Sequence, residues 1–279
     1  MLRPYRRGGT NKRRDEPMPT QGLMDLSLRG RTALVTGASA GIGAASARCL
    51  AELGARVIAV ARREEKLKQV IEGLENATYW VLDVNDHKAL AERLDAELKS
   101  GTIDIVVNNS AGPKGGPILS AQLEEFAAAF QQHLLTNHFI ATRVIPKMKE
   151  KGFGRIINII STSVYAPIPN LGVSNTIRAA VASWAKTLSN EVGPYGVTVN
   201  SVLPGYTATE RLEQLIQATA HRLGKTEEEV VNDWKNAVPA RRFAKPEEIA
   251  SVVGFLASPA ASYVNGVAIP VDGGRLPMI

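Results

Sequence analysis

Cysteine is almost absent from this 279-residue chain: Cys49 stands alone, so no internal disulfide can form. Inside a helix-like run it reads as a small buried hydrophobe. Histidine is nearly as sparse. His87, His133, His138 and His221 show no metal-ligand spacing, and the five-residue step from His133 to His138 is the wrong interval for one helical face. No apolar stretch approaches the ~20 residues of a membrane helix, and the first residues lack the apolar core of a secretory signal. No Pro/Gly/Ser-rich linker divides the middle, and nothing repeats at a fixed period. These absences argue against a disulfide scaffold, a metal protein, a helical membrane protein and a solenoid. What remains is an α/β domain over residues 25–279 in a reducing cytoplasm.

Charge is unevenly spread. The net charge is +6, and four of those charges lie in residues 1–24, where Arg3, Arg6, Arg7, Lys12, Arg13 and Arg14 face only Asp15 and Glu16. With Pro4, Gly8, Gly9, Pro17 and Pro19 and no hydrophobic period, this tail is expected to be disordered. A bare basic tail attracts nucleic acid only weakly and without specificity, so no nucleic-acid partner is expected. Met24-Asp25-Leu26 would open the domain cleanly.

What the chain does have is a glycine-rich turn between a strand and a helix. After the apolar run Ala33-Leu34-Val35 come Thr36-Gly37-Ala38-Ser39-Ala40-Gly41-Ile42-Gly43, then an alanine-rich helical run over 44–53. Glycine lets the backbone turn sharply and lets a pyrophosphate approach the free N–H groups of a helix N-terminus. The turn predicts dinucleotide binding. Further strands are expected at 56–60, 78–82, 103–107, 155–160, 197–202 and 268–271. Helices are expected at 64–74, at 86–99 (capped by Asp86), at 123–149 with Pro146 bending its end, at 174–192 and at 246–256. The polar, helical segment 207–237 includes Thr226 and Glu229 at capping-box spacing. Seven continuous apolar strands alternating with helices describe a doubly wound parallel sheet covered on both faces.

The second strand ends in Arg62-Arg63, where an NAD-selective site would place an acid on the ribose 2′-hydroxyl. A guanidinium suits a 2′-phosphate as a forked, permanent donor, so NADP is favoured.

Further motifs follow in order: Asp83-Val84, Asn108-Asn109, Gly154-Arg155-Ile156-Ile157-Asn158-Ile159, Val199-Asn200-Ser201-Val202-Leu203-Pro204-Gly205, Arg242 with Pro246-Glu247-Glu248, and Val271-Asp272-Gly273-Gly274. With the glycine turn, they resemble the short-chain dehydrogenase/reductase family, in its β-ketoacyl-carrier-protein-reductase-like branch, over about residues 28–274. The resemblance implies a Rossmann-type fold and an NADP(H)-dependent reductase of a ketone, an aldehyde or an acyl thioester, or a dehydrogenase of the corresponding alcohol. It also implies a homotetramer that pairs helices 123–149 and 174–192 across an interface. Ser39, Ala40 and Ile42 would line the pyrophosphate turn, Asp83 would meet the adenine amino group beside Val84, and Asn109 would steady the cofactor side of the sheet. Pro204 and Thr207 would flank the nicotinamide. Ala40 stands where the family has an extra basic residue, which leaves NAD open.

The family's catalytic pattern is broken. Ser161 is in place, but thirteen residues on stands Ser174 instead of tyrosine, and four further stands Arg178 instead of lysine. The upstream asparagine is His133, and the family's Asn-Asn-Ala-Gly reads Asn108-Asn109-Ser110-Ala111. Ser161, Ser174 and Arg178 are the candidate catalytic set, with Arg178 also placed to hold the nicotinamide ribose. An arginine cannot shuttle a proton, and an aliphatic hydroxyl is a far weaker acid than a phenol of pKa ~10. Candidate proton sources are water relayed by Ser174, Tyr165, Tyr206, or His133 titrating near ~6.5. Segment 206–241 is a candidate lid, whose Leu212, Leu215, Ile216 and Leu223 suggest a partly apolar ligand. The alternative reading is a dinucleotide-binding protein without turnover.

Overall fold

The strand-forming runs are short, apolar and rich in Val and Ile, so they pack on both faces rather than alternating with solvent. In a computed structural model, which describes residues 24–278, they become β1 (Thr32–Thr36), β2 (Arg56–Ala61), β3 (Ala77–Val81), β4 (Ile105–Asn108), β5 (Gly154–Ile159), β6 (Val197–Pro204) and β7 (Ala268–Val271). All pair in parallel, in the order β3-β2-β1-β4-β5-β6-β7. This is the doubly wound sheet expected from the sequence. The helices are α1 (Gly41–Glu52), α2 (Glu64–Ile71), α3 (His87–Ser100), α4 (Leu123–Phe130), α5 (Thr136–Lys151), α6 (Gly172–Val192), α7 (Glu210–Leu223), α8 (Glu227–Asn236) and α9 (Pro246–Ala257).

The period-two alternation of strand side chains divides the core into two layers. Ala33 and Val35 of β1 pack with Leu50, Leu67, Val253 and Leu256 on one face. Leu34 packs with Leu90, Leu94, Ile140, Val144 and Met148 on the other. The strand order reverses between β1 and β4, and at such a switch point a crevice opens beyond the strands' C-terminal ends. Both the glycine turn and Asn109 lie there.

Three expectations need correction or placement. The long helix expected at 123–149 is interrupted. Between α4 and α5 lies a π-helical stretch, Gln131–Leu135. Thr136 donates its backbone N–H and its hydroxyl (3.0 Å) to the Gln131 carbonyl, and the widened turn carries His133 inside, 2% exposed. A 3.6-residue period does not register one extra residue, and such bulges occur frequently at functional sites. The segment 207–237 splits into α7 and α8, joined at Gly224 in the left-handed region (φ 63°), with the Thr226–Glu229 capping box formed. Here Leu212 and Ile216 pack with Ala220, Val230, Tyr206, Trp234 and Phe243. They serve the segment's own small core instead of facing a ligand, and Leu223 is half exposed. The basic tail, apart from Met24, lies outside the described residues.

Candidate functional site

At the end of β1 the site is made of backbone. Gly37 (φ 59°) and Gly41 (φ 53°) adopt left-handed conformations that side-chain-bearing residues rarely take. Space is equally demanding: a Cβ on Gly43 would sit 2.3 Å from the Gly37 carbonyl oxygen. Asn109 locks this turn from β4. Its Nδ2 donates to the Thr36 (3.3 Å) and Gly37 (3.2 Å) carbonyls, and its backbone carbonyl accepts from the Thr36 hydroxyl (2.8 Å). Ala40, in extended conformation, precedes α1 and offers no side-chain cap. The first N–H groups of α1, flanked by Ser39 and Ile42, are therefore left for an anion.

At the end of β2, Arg62 pairs with Asp83 (3.6 Å). Arg63 donates to the Ser39 hydroxyl (3.3 Å) and pairs with Glu210 of α7 (3.1 Å). Both guanidinium groups are exposed, so these pairs are weak and exchangeable. Asp83 accepts the Asn85 N–H (2.9 Å), while Asp86 accepts the Ala89 N–H and caps α3. Asp83 is thus not a helix cap. Val84 packs, half-buried, against the second core layer. A cradle that excludes Cβ atoms, beside two exposed guanidinium forks, fits a phosphorylated dinucleotide.

Beyond β5 the site is made of side chains. Ser161 accepts the Ser163 N–H at Oγ (3.1 Å), leaving its own proton to donate. Ser174 and Arg178 lie one turn apart on the same face of α6. Arg178, 8% exposed, donates Nη1 to the Ile159 carbonyl (2.7 Å). Burial, and then the charge of Arg211, bring its pKa down to about 10. His133 bonds the Ser110 hydroxyl through Nδ1 (2.7 Å), and its buried Nε2 has no partner among the described residues. Burial, reinforced by the positive charge of Arg178, pushes its pKa down to about 2. The expectation of an imidazole titrating near neutrality is therefore overturned: His133 stays neutral.

Of the two tyrosines, one has its hydroxyl engaged elsewhere and the other has its ring stacked. Tyr165 donates its hydroxyl to the Ala268 carbonyl (3.0 Å), and Tyr206 stacks on Trp234 at 4.7 Å. Pro204 ends β6, and buried Thr207 donates to the Gly205 carbonyl (3.2 Å). One residue escaped the sequence reading. Arg211 of α7 reaches across to donate Nη2 to the Pro113 carbonyl (2.6 Å), in the loop between β4 and α4. A single basic residue on a polar helix gives no signal of such a reach.

A family model described as enoyl-(acyl carrier protein) reductase matches residues 37–275. The chain is 35% identical over 257 residues to the 3-oxoacyl-acyl-carrier-protein reductase FabG of Vibrio cholerae, covering 89% of this chain and 98% of that one. It is 34% identical over 260 residues to the gluconate 5-dehydrogenase of Gluconobacter oxydans, covering 89% and 96%. Among solved structures it resembles the L-sorbose reductase of Gluconobacter frateurii complexed with NADPH and L-sorbose, with a TM-score of 0.85, 28% identity, and coverage of 92% and 100%.

Proposed function

Because the chain belongs to the short-chain dehydrogenase/reductase family, we propose that it interconverts a small carbonyl compound and its alcohol with NADP(H). The observation that carries this reading is the glycine turn locked by Asn109, with Arg62 and Arg63 at its adenine end. The relatives are named oxidoreductases, and the sorbose reductase is an NADPH complex. When bound, NADPH supplies the hydride.

The chain's own residues do the rest. Gly37, Ser39, Ala40, Gly41, Ile42 and Gly43 hold the pyrophosphate, Arg62 and Arg63 the 2′-phosphate, and Asp83 and Val84 the adenine. Asn109 fixes the turn, and Pro204 and Thr207 flank the nicotinamide. Ser161 donates to the carbonyl oxygen. Arg178, anchored through Ile159, holds the nicotinamide ribose with a permanent charge. The proton reaches the product oxygen from water relayed by Ser174 or from Tyr206, since Tyr165 is committed to Ala268 and His133 is neutral and buried. A positioned acid is typically worth ~100- to 10,000-fold, so turnover without the family's phenol is slow. The substrate is a 3-oxoacyl-like ketone, an aldehyde or a thioester, and the protein acts in the cytoplasm as a homotetramer that pairs α4, α5 and α6 across its interface.

The test is NADPH oxidation, followed by absorbance, across ketones, aldehydes and acyl thioesters. Weak turnover that falls further in Ser161→Ala is expected. Tight NADPH binding with no turnover on any member would make the protein a cofactor-binding scaffold.

A further inference from the structure

Three consecutive residues at the start of the candidate lid reach three different walls of the crevice. Thr209 caps α7 and lies against the glycine turn, so close that a Cβ on Gly41 would sit 2.9 Å from its methyl carbon. Glu210 pairs with Arg63 at the end of β2 (3.1 Å), 147 residues away in sequence. Arg211 donates to the Pro113 carbonyl beyond β4 (2.6 Å). The first contact is steric and the third goes to main chain. The middle one engages a charged fork that also serves the cofactor.

Arg63 is occupied at two of its nitrogens. Its Nε donates to the Ser39 hydroxyl (3.3 Å), which anchors the guanidinium beside the phosphate cradle, and its Nη1 donates to the Glu210 carboxylate (3.1 Å). A phosphate is gripped best by two parallel N–H bonds, so the acid sits on donors that a 2′-phosphate needs. Arg62 is also paired, but its partner Asp83 follows β3 and belongs to the sheet frame. Glu210 instead comes from α7. A helix dipole favours acids in the first turn, yet Glu213 lies in that same turn and forms no salt bridge among the described residues. The helix end by itself therefore does not account for the reach of Glu210 to Arg63. Both side chains of the pair are about half exposed, at 49% and 55%, which keeps the pair weak. A phosphate monoester carries about −1.5 to −2 charge at pH 7 and is the stronger partner.

We propose that Glu210 competes with the cofactor's 2′-phosphate for Arg63, and so acts as a specificity-determining residue that tempers the preference for NADP(H) over NAD(H). NADP(H) exchanges the Glu210 carboxylate for its own phosphate, whereas NAD(H) leaves the pair intact. This deepens, and rests on, the assignment of Arg63 to the 2′-phosphate.

Calorimetry on the full chain tests the proposal without turnover. The probes are NADP+ against NAD+, and adenosine 2′,5′-bisphosphate against AMP, a pair that differs only in the 2′-phosphate and carries no nicotinamide. Glu210→Gln keeps the size and removes the charge. It should tighten NADP+ and the bisphosphate about two- to fivefold, the scale of an exposed ion pair, and leave NAD+ and AMP unchanged. Glu210→Lys, which sets a cation beside the phosphate, should tighten them about tenfold. In an Arg63→Ala background Glu210→Gln should lose its effect, because no fork remains to compete for. The half-exposed side chain and the intact Thr209 cap let these variants fold, which their melting temperatures check. Unchanged or weaker NADP+ binding in Glu210→Gln, an equal gain for NAD+, or a gain that persists without Arg63 would each overturn the competition. The underlying assignment fails in a different way. Equal affinity of the unmodified protein for NADP+ and NAD+, with no response to Arg63→Ala, removes the 2′-phosphate from Arg63 and the exchange with it. A preference that Arg63→Ala abolishes and Glu210→Gln leaves untouched keeps the phosphate site and removes only the role of Glu210.

Discussion

The two ends of the crevice are built from different materials. Beyond β1, function is written in backbone: left-handed glycines, a Cβ-free approach, and an asparagine whose side chain bonds only main-chain carbonyls. Beyond β5, on α6 and in the π-helical turn before α5, it is written in side chains, with Ser174, Arg178 and His133 standing where the sequence resemblance expects tyrosine, lysine and asparagine. A backbone cradle tolerates little, because a Cβ on Gly37 or Gly43 collides with main-chain oxygens. A side chain that points into a crevice can change its chemistry while the strand or helix beneath it stays as it was.

The largest expected effect comes from returning the side-chain end to the family pattern. Ser174→Tyr with Arg178→Lys should raise kcat for carbonyl reduction about 100-fold or more, the range of a positioned acid. An unchanged rate in steady-state NADPH assays would show that the limitation is not proton supply. Attacking the backbone end should cost binding instead. Gly43→Ala forces a Cβ against the Gly37 carbonyl, and overpacking of this kind typically costs ~1–3 kcal/mol. NADPH affinity, measured by fluorescence titration, should fall about tenfold or more, together with the melting temperature. Wild-type affinity in this variant would contradict the cradle.

A smaller effect is expected at the adenine end. Arg62→Ala should reduce the preference for NADPH over NADH by about tenfold, one charge-assisted contact. Equal dissociation constants for the two cofactors in the unmodified protein would remove the 2′-phosphate role. The smallest effect separates the two ends by pH. His133 is neutral when folded, with a pKa near 2, but takes up a proton below ~6.5 when unfolded. Stability should therefore fall as pH drops through 6.5, by about 1 kcal/mol between pH 6.5 and 5.5. His133→Asn should flatten that part of the denaturation profile, and an unaltered slope would place the titration elsewhere.

The sequence alone reached the doubly wound sheet, the glycine turn, the cap at Asp86, the capping box at Thr226 and Glu229, and the broken Ser-Tyr-Lys pattern. Each is a local matter of hydrophobic period, glycine freedom or fixed spacing along one element. Only the tertiary structure decided that His133 lies buried through a π-helical turn, that the Tyr165 hydroxyl is engaged by the Ala268 carbonyl, and that Leu212 and Ile216 serve a core of their own. It also brought Arg211 from α7 to the loop after β4, 98 residues away in sequence. The charge balance of the site depends on which side chains meet from distant elements and how far water is excluded from them, and no local pattern in the chain encodes either.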